Sequence, residues 1–161
     1  MSTPPTKTAL LPLKTVQVSH LNGTSISYSL PTGPIKTSRP TLVFINGFSG
    51  NAHRFRAQVD DPQLIEVANL LVLEPLGHGG THTNAPAFSL WDAAWAFVQA
   101  LDSLNVQRYI LCGTSMGGFI AARVALYVPE RVCNPRFATK KTVAASCTKQ
   151  AHSEPRCLAL S

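Results

Sequence analysis

Three short, uninterrupted apolar runs divide the central part of the chain. They are Leu42 to Ile45, Leu70 to Leu73 and Tyr109 to Cys112. An apolar run without alternation is typical of a strand covered on both faces, and such strands occur mainly in parallel sheets. Segments with helical spacing separate the runs. We therefore predict an α/β fold, with a mostly parallel sheet and helices on both of its faces.

An antiparallel hairpin is predicted before these runs. Residues 15–20 and 24–30 read as two strands, and Asn22 and Gly23 between them readily adopt the positive φ angles of a two-residue turn. Residues 1–14 have no periodicity and are rich in Thr, Pro and Lys. We expect them to form a disordered arm.

Helical patterns alternate with the strands. The strongest begins at Ser89, which forms a capping box with Asp92, and it carries apolar residues at helical spacing. The last one stops before Pro129, because the residue that precedes a proline disfavours the helical conformation. The predicted helices cover residues 52–59, 89–101 and 119–127.

Composition limits the class of protein. The chain has 161 residues, of which 45% are hydrophobic and 14% charged, so it can bury one core of ordinary size. No apolar run approaches the roughly 20 residues that span a bilayer, and the first residues lack the apolar stretch of a secretory signal. We expect a cytoplasmic protein with a single folded domain over residues 15–132, followed by a tail over residues 133–161.

The net charge of +6 is unevenly distributed along the chain. Residues 1–132 contribute +2, and residues 133–161 contribute +4. A basic tail can bind nucleic acid, but Phe137 is the only aromatic residue there that can stack on a base, so we expect no specific nucleic-acid partner. The four cysteines lack C-x-x-C spacing and no dinucleotide fingerprint is present. We infer neither a metal site nor a cofactor.

The strongest chemical signal is the sequence Gly113-Thr114-Ser115-Met116-Gly117, which has the form G-x-S-x-G. It follows an apolar run directly and opens a predicted helix. A strained turn at this point would lift the Ser115 hydroxyl above the sheet, where the free amides of the helix N-terminus favour negative charge. The alternative is a glycine-rich turn that carries an incidental serine.

The loop after the first apolar run supplies a second candidate element. Asn46, Gly47 and Phe48 follow a strand whose carboxyl end, in a parallel sheet, would lie beside Ser115. The backbone amides of Phe48 and Met116 would then be placed to bind an oxyanion. Taken alone, such a loop is more often a simple turn.

These features, in this order, resemble the α/β-hydrolase fold superfamily. The resemblance covers residues 15–132 and implies a serine nucleophile that attacks an acyl carbon. It is carried by the hairpin, the strand that ends at Asn46-Gly47, the loop Leu76-Gly77-His78-Gly79, the helix 89–101, the elbow at Ser115 and the segment Pro129-Glu130-Arg131-Val132.

The resemblance implies roles for individual residues. Ser115 is the expected nucleophile, and the amides of Phe48 and Met116 are the expected oxyanion donors. Asn46 stands where relatives often carry histidine. His78 lies in a loop near the expected site, although not as the catalytic base, and its alternative role is to stabilise its own turn.

The resemblance also implies an acid and then a histidine after the serine. Geometry excludes Glu130 as that acid, because a helix that rises roughly 1.5 Å per residue places it about 20 Å from Ser115. No sequence pattern folds the tail back over the site. The other candidates for an acid or a base are His53, His78 and His82 upstream of the serine, and His152 and Glu154 in the tail.

Residues 133–161 depart from the resemblance. They are basic, rich in cysteine and weakly patterned, so we expect an atypical and disordered tail. Such a break is typical of a shifted reading frame, a retained intron or a wrong gene model, which sequencing of the transcript across residues 130–136 would test. The strand at residues 109–112 would then lack an outer neighbour, and an open strand edge favours self-association.

The sequence therefore predicts a truncated and impaired serine hydrolase. It would act on a carboxylic ester, thioester or amide through an acyl-enzyme, with a small acyl compound as its substrate. One alternative is a noncatalytic fragment of the same fold that binds a ligand or a protein partner. Another is a nucleic-acid binder that uses the basic tail.

Overall fold

A computed structural model describes residues 10–133 of the chain. The strands are β1 (Lys14–Val18), β2 (Thr24–Ser29), β3 (Thr41–Ile45), β4 (Asn69–Leu73), β5 (His82–Thr83) and β6 (Ile110–Gly113). The helices are α1 (Arg56–Val59), α2 (Pro62–Val67), α3 (Leu90–Ser103) and α4 (Met116–Tyr127). Short 3-10 turns cover His20–Asn22, Ala52–Phe55 and Pro129–Arg131.

The sheet is parallel at its centre and antiparallel at its amino-terminal edge. Its order over the described residues is β1-β2-β4-β3-β6, with β5 paired to β2. The central strand β3 pairs in parallel with both β4 and β6. Strands β1 and β2 form the predicted hairpin, and β2 joins β4 in the antiparallel direction. The predicted fold class is confirmed.

Two apolar clusters cover the two faces of the sheet. Successive side chains of a strand point to opposite faces, so Val43 and Ile45 join the cluster formed with α3 and α4. Leu42 and Phe44 join the second cluster, which includes Phe55 of a 3-10 turn. All five of these side chains are buried. Strands covered on both faces explain the uninterrupted apolar runs in the sequence.

The connection between β1 and β2 differs from the predicted two-residue turn. The register pairs Val18 with Thr24, so five residues connect the strands, and three of them form a 3-10 turn. Asn22 and Gly23 have positive φ angles as expected. The longer loop is held by α3, because the His20 backbone N–H donates to Gln99 Oε1 at 3.0 Å.

The ordered chain starts earlier than the predicted boundary after residue 14. Leu11 is buried against Leu42 and Phe44, and Lys14 is the first residue of β1. Residues 1–9 lie outside the described residues.

All three predicted helices differ in their bounds from the observed ones, and α2 and β5 were not predicted. Helix α4 starts at Met116, three residues before the predicted start. The predicted helix at residues 52–59 is a 3-10 turn followed by the short α1. Helix α2 begins with Pro62, a residue that suits the first turn of a helix. The preceding Asp61 caps this helix, because its Oδ1 accepts a hydrogen bond from Gln63 N at 3.0 Å.

The described part of the chain contains no helix that is both long and apolar enough to cross a membrane. The predictions for the tail, including His152 and Glu154, concern residues outside 10–133 and stay predictions.

The fold positions the site, because parallel strands bring the loops after β3, β4 and β6 to the same edge of the sheet.

Candidate active site

Ser115 lies at a sharp bend between β6 and α4. The strand ends at Gly113, and the helix begins one residue after the serine. Ser115 has φ of 52° and ψ of −119°, a conformation that costs a serine about 1–3 kcal/mol, and its side chain is exposed. The strained bend predicted from the G-x-S-x-G sequence is present, and it presents the hydroxyl to solvent.

The two glycines of the motif make this bend sterically possible. A methyl group added to Gly117 would overlap the carbonyl oxygen of Ile45, because the first turn of α4 rests directly on the end of β3. A methyl group on Gly113 would overlap the Gly117 carbonyl oxygen. The motif glycines therefore allow strand and helix to approach each other closely.

The loop after β3 packs against the serine. A methyl group on Gly47 would lie 2.9 Å from Thr114 O and 3.2 Å from Ser115 Cβ. Asn46 is fully buried, and its Nδ2 donates to Gly47 O at 3.0 Å. Gly50 N donates to the same oxygen at 3.1 Å. These two hydrogen bonds fix the peptide group that joins Gly47 to Phe48.

Two backbone N–H groups beside Ser115 are available to a ligand. In residues 10–133, the N–H groups of Phe48 and Met116 have no hydrogen-bond acceptor. The next two amides of α4 are different, because Gly117 N donates to Thr114 O and Gly118 N donates to Ser115 O. Gly47 N and Ser115 N also have no acceptor in these residues, so the free amides at this place include the two that the sequence resemblance assigned to an oxyanion.

His78 joins two loops at the rim of the site. Its Nδ1 lies 2.9 Å from Leu76 O, and its Nε2 accepts a hydrogen bond from Ser49 N at 3.3 Å. Because Ser49 N is a donor, Nε2 carries no proton and Nδ1 donates. The Phe48 ring, 78% exposed, makes an edge-on contact with the imidazole at 5.6 Å between ring centroids. Both ring nitrogens are engaged, as expected for a structural role.

In the described structure, none of the other predicted acid and base candidates contacts Ser115. Glu130 lies in the 3-10 turn beyond the far end of α4, a helix about 18 Å long. His82 is exposed in β5 and contacts Asn84 Oδ1 at 3.2 Å. His53 lies in the 3-10 turn after the Gly47 loop.

Cys112 lies in β6, three residues before Ser115. Burial raises the pKa of its thiol to about 11, so it stays protonated near neutral pH. Cys112 also packs against the apolar cluster on the sheet face, whereas Ser115 is exposed, so Ser115 is the residue that a substrate can reach. No group of three or more His, Cys, Asp or Glu side chains in residues 10–133 is arranged to hold a metal ion.

Sequence reasoning missed one polar residue of the site. Glu74 directly follows β4, is 1% exposed, and accepts hydrogen bonds from Ala52 N and Gly80 N. The only sequence signal was an acidic residue at the end of an apolar run. Its partners belong to two different loops, one of them 22 residues earlier in the chain, so their approach could not be predicted from spacing.

The chain is similar to known proteins in both sequence and structure. A family profile described as the alpha/beta hydrolase fold matches residues 40–134. The putative carbamate hydrolase RutD of Stutzerimonas stutzeri is 30% identical over 99 residues, which are 61% of this chain and 37% of the relative. The 2-succinyl-6-hydroxy-2,4-cyclohexadiene-1-carboxylate synthase of Escherichia coli is 33% identical over 99 residues, with the same two coverages.

Solved structures show the same similarity. The crystal structure of a hydrolase from Pseudomonas aeruginosa matches with a TM-score of 0.62 and 25% identity, covering 73% of this chain and 43% of that one. The chain thus spans little more than a third of the length of the two curated relatives.

Proposed function

This chain belongs to the alpha/beta hydrolase fold family, and from that premise we propose that it is the amino-terminal portion of a serine hydrolase with Ser115 as its nucleophile. The observation that carries the proposal is the strained, exposed conformation of Ser115 between β6 and α4. A serine kept at this energetic cost is typical of a site whose chemistry needs it.

The proposed reaction is acyl transfer to the serine. Ser115 Oγ attacks the carbonyl carbon of the substrate and loses its proton to a base, while the carbonyl oxygen becomes an oxyanion. The N–H groups of Phe48 and Met116 donate to that oxyanion, and the N-terminus of α4 adds a favourable dipole. The leaving group departs with a proton, and water then hydrolyses the acyl-enzyme.

The base is the part of this mechanism that residues 10–133 do not supply. His78 has both ring nitrogens engaged, and Glu130 is at the wrong end of α4. A complete triad in such enzymes is worth several orders of magnitude in rate. Unless a residue outside 10–133 supplies the base, we expect slow acylation and poor turnover.

The substrate class follows from the site chemistry. An oxyanion pair beside a serine suits a carboxylic ester, a thioester or an amide. The relatives named above are a putative carbamate hydrolase and a synthase. Because these two names indicate different reactions, we carry over neither substrate and propose a small acyl compound.

A fluorophosphonate probe tests the proposal. It reacts with activated serines, and we expect one probe per chain, slowly incorporated, with no incorporation in Ser115→Ala. Ser103→Ala is the matched control, because Ser103 is also exposed but lies at the end of α3. Labelling that survives in Ser115→Ala would contradict the proposal.

A second candidate function is a noncatalytic fragment that binds a partner through the sheet edge. In the described residues, the outer side of β6 is paired only at a bridge between Tyr109 and Val132. Free backbone groups on a strand edge can pair with another chain. Absence of probe labelling in a folded chain favours this function, because binding needs no activated serine.

A further inference from the structure

Glu74 is a buried carboxyl group at the centre of the loops that surround Ser115. It is the first residue after β4 and is 1% exposed. Its backbone is fixed as well, since its N–H donates to Ser27 O at 3.0 Å and its carbonyl accepts from Thr81 Oγ1 at 2.6 Å. A carboxyl group in such a position is costly unless both oxygens have partners.

Each carboxyl oxygen of Glu74 binds a different loop. Oε1 accepts from Ala52 N at 2.8 Å, in the segment that follows Gly47 and Phe48. Oε2 accepts from Gly80 N at 2.8 Å, in the loop that carries His78. One side chain therefore connects the loop after β3 to the loop after β4.

The surrounding glycine leaves room for this connection. Gly79 has φ of 55°, and a methyl group there would overlap the Glu74 carboxyl group. Above Glu74, at the surface, the two loops meet again where Ser49 N donates to His78 Nε2 at 3.3 Å. The loop that carries the Phe48 amide is thus held at two points, by the buried Glu74 carboxyl group and by the His78 side chain at the surface.

We propose that Glu74 is a positioning residue that holds the Phe48 N–H in place for the oxyanion. This inference rests on the proposed function of Ser115 and Phe48. Glu74 would not touch the substrate. It would act through Ala52 N, by fixing the segment 47–52 whose other end packs against Ser115. An oxyanion donor is effective only where it is held in advance, and a misplacement of about 1 Å can cost about 100-fold in rate.

The most informative variant is Glu74→Gln. It preserves size, but its single amide oxygen can accept from only one of Ala52 N and Gly80 N at a time, so each of the two connections is broken for part of the time. Glu74→Asp keeps both acceptor oxygens on a shorter side chain and should recover part of the function. We expect the rate of Ser115 labelling in Glu74→Gln to fall by about 10- to 100-fold, and by less in Glu74→Asp.

Asn69 provides a matched control at the other end of the same strand. It is 2% exposed and, like Glu74, connects loops, with Oδ1 accepting from Lys36 N at 2.9 Å and Nδ2 donating to Arg39 O at 3.1 Å. Asn69→Asp replaces an amide by a carboxyl group of equal size, which is the reverse of the exchange in Glu74→Gln. We expect it to destabilise the fold without changing the labelling rate of the folded chain.

The labelling experiment separates positioning from mere stability. A variant that only unfolds more of the chain lowers the observed rate in proportion to the folded fraction, which circular dichroism measures, whereas a variant that displaces the oxyanion donor lowers the rate constant of the folded, probe-bound chain itself. The proposal predicts a lower rate constant and an unchanged probe-binding constant for Glu74→Gln. An unchanged rate constant in the folded fraction would overturn it.

Amide hydrogen exchange on the full chain keeps this test independent of the proposed function. We expect residues 47–52 to exchange at least about tenfold faster in Glu74→Gln, with β3 and β4 unchanged, and Asn69→Asp to leave residues 47–52 unchanged. Equal exchange in Glu74→Gln and the unaltered chain would overturn the positioning role. Failure of Ser115 to label at all, with faster loop exchange, would instead reject the proposed function and leave Glu74 as the residue that fixes this loop.

Discussion

The proposed function depends most on one residue, Ser115. Its positive φ is disfavoured for a serine, and the surrounding structure holds it there through close packing of α4 on β3. The contact depends on Gly117, whose missing side chain lets the helix reach the Ile45 carbonyl. The strain is therefore located at the residue that we propose as the nucleophile, and it is maintained by Gly117, which has no proposed part in the chemistry.

Gly117→Ala tests this packing at the level of one methyl group. We expect a loss of about 1–3 kcal/mol in the free energy of unfolding, because overpacking displaces α4 from β3. Gly118→Ala is the matched control, since its added methyl group would lie 3.7 Å from Gly113 O, an ordinary contact. That substitution should be neutral or stabilising by about 0.5–1 kcal/mol. Urea denaturation measures both, and equal effects would contradict the packing argument.

At the scale of elements, β6 is both the strand that presents Ser115 and the last strand of the described sheet. Tyr109 N donates to Arg131 O, and Cys133 N donates to Tyr109 O, so the outer side of the sheet is covered only at its start. Hydrogen bonding alternates along a strand, which leaves the outward-facing groups of Leu111 and Gly113 without a strand partner in residues 10–133. In residues 10–133, the proposed nucleophile thus follows a strand that is paired along its length on one side only.

This edge predicts self-association of the purified chain. Under reducing conditions, sedimentation velocity should show an average mass that rises with protein concentration, because free strand edges pair. Circular dichroism checks that the chain is folded at the concentrations used. A monomer at all concentrations, with a cooperative thermal transition, would contradict the prediction.

At the scale of the whole molecule, the sequence predicted the features that depend on local pattern. The three apolar runs became β3, β4 and most of β6, and the capping box at Ser89 and Asp92 begins α3 as expected. The five-residue connection after β1 could not be predicted, because Gln99 of α3 holds it. Glu74 was missed for the same reason, since its partners come together only in the folded sheet.

In the candidate site too, features that depend on local pattern were predicted, and features that depend on contacts in the folded chain were not. The G-x-S-x-G sequence was sufficient to predict the bend at Ser115, because a tight strand-to-helix turn needs glycines at fixed positions. The free amides of Phe48 and Met116 followed from the expected order of the strands. The engagement of both His78 nitrogens did not, because it depends on where Ser49 lies in space.

The central claim is that Ser115 is a nucleophile beside an oxyanion site formed by two backbone amides. Its most direct test is a crystal structure of the chain after reaction with a fluorophosphonate. We expect phosphorus bonded to Ser115 Oγ, with one phosphoryl oxygen about 3 Å from both Phe48 N and Met116 N. An adduct on any other residue, or a phosphoryl oxygen directed away from these two amides, would contradict the claim.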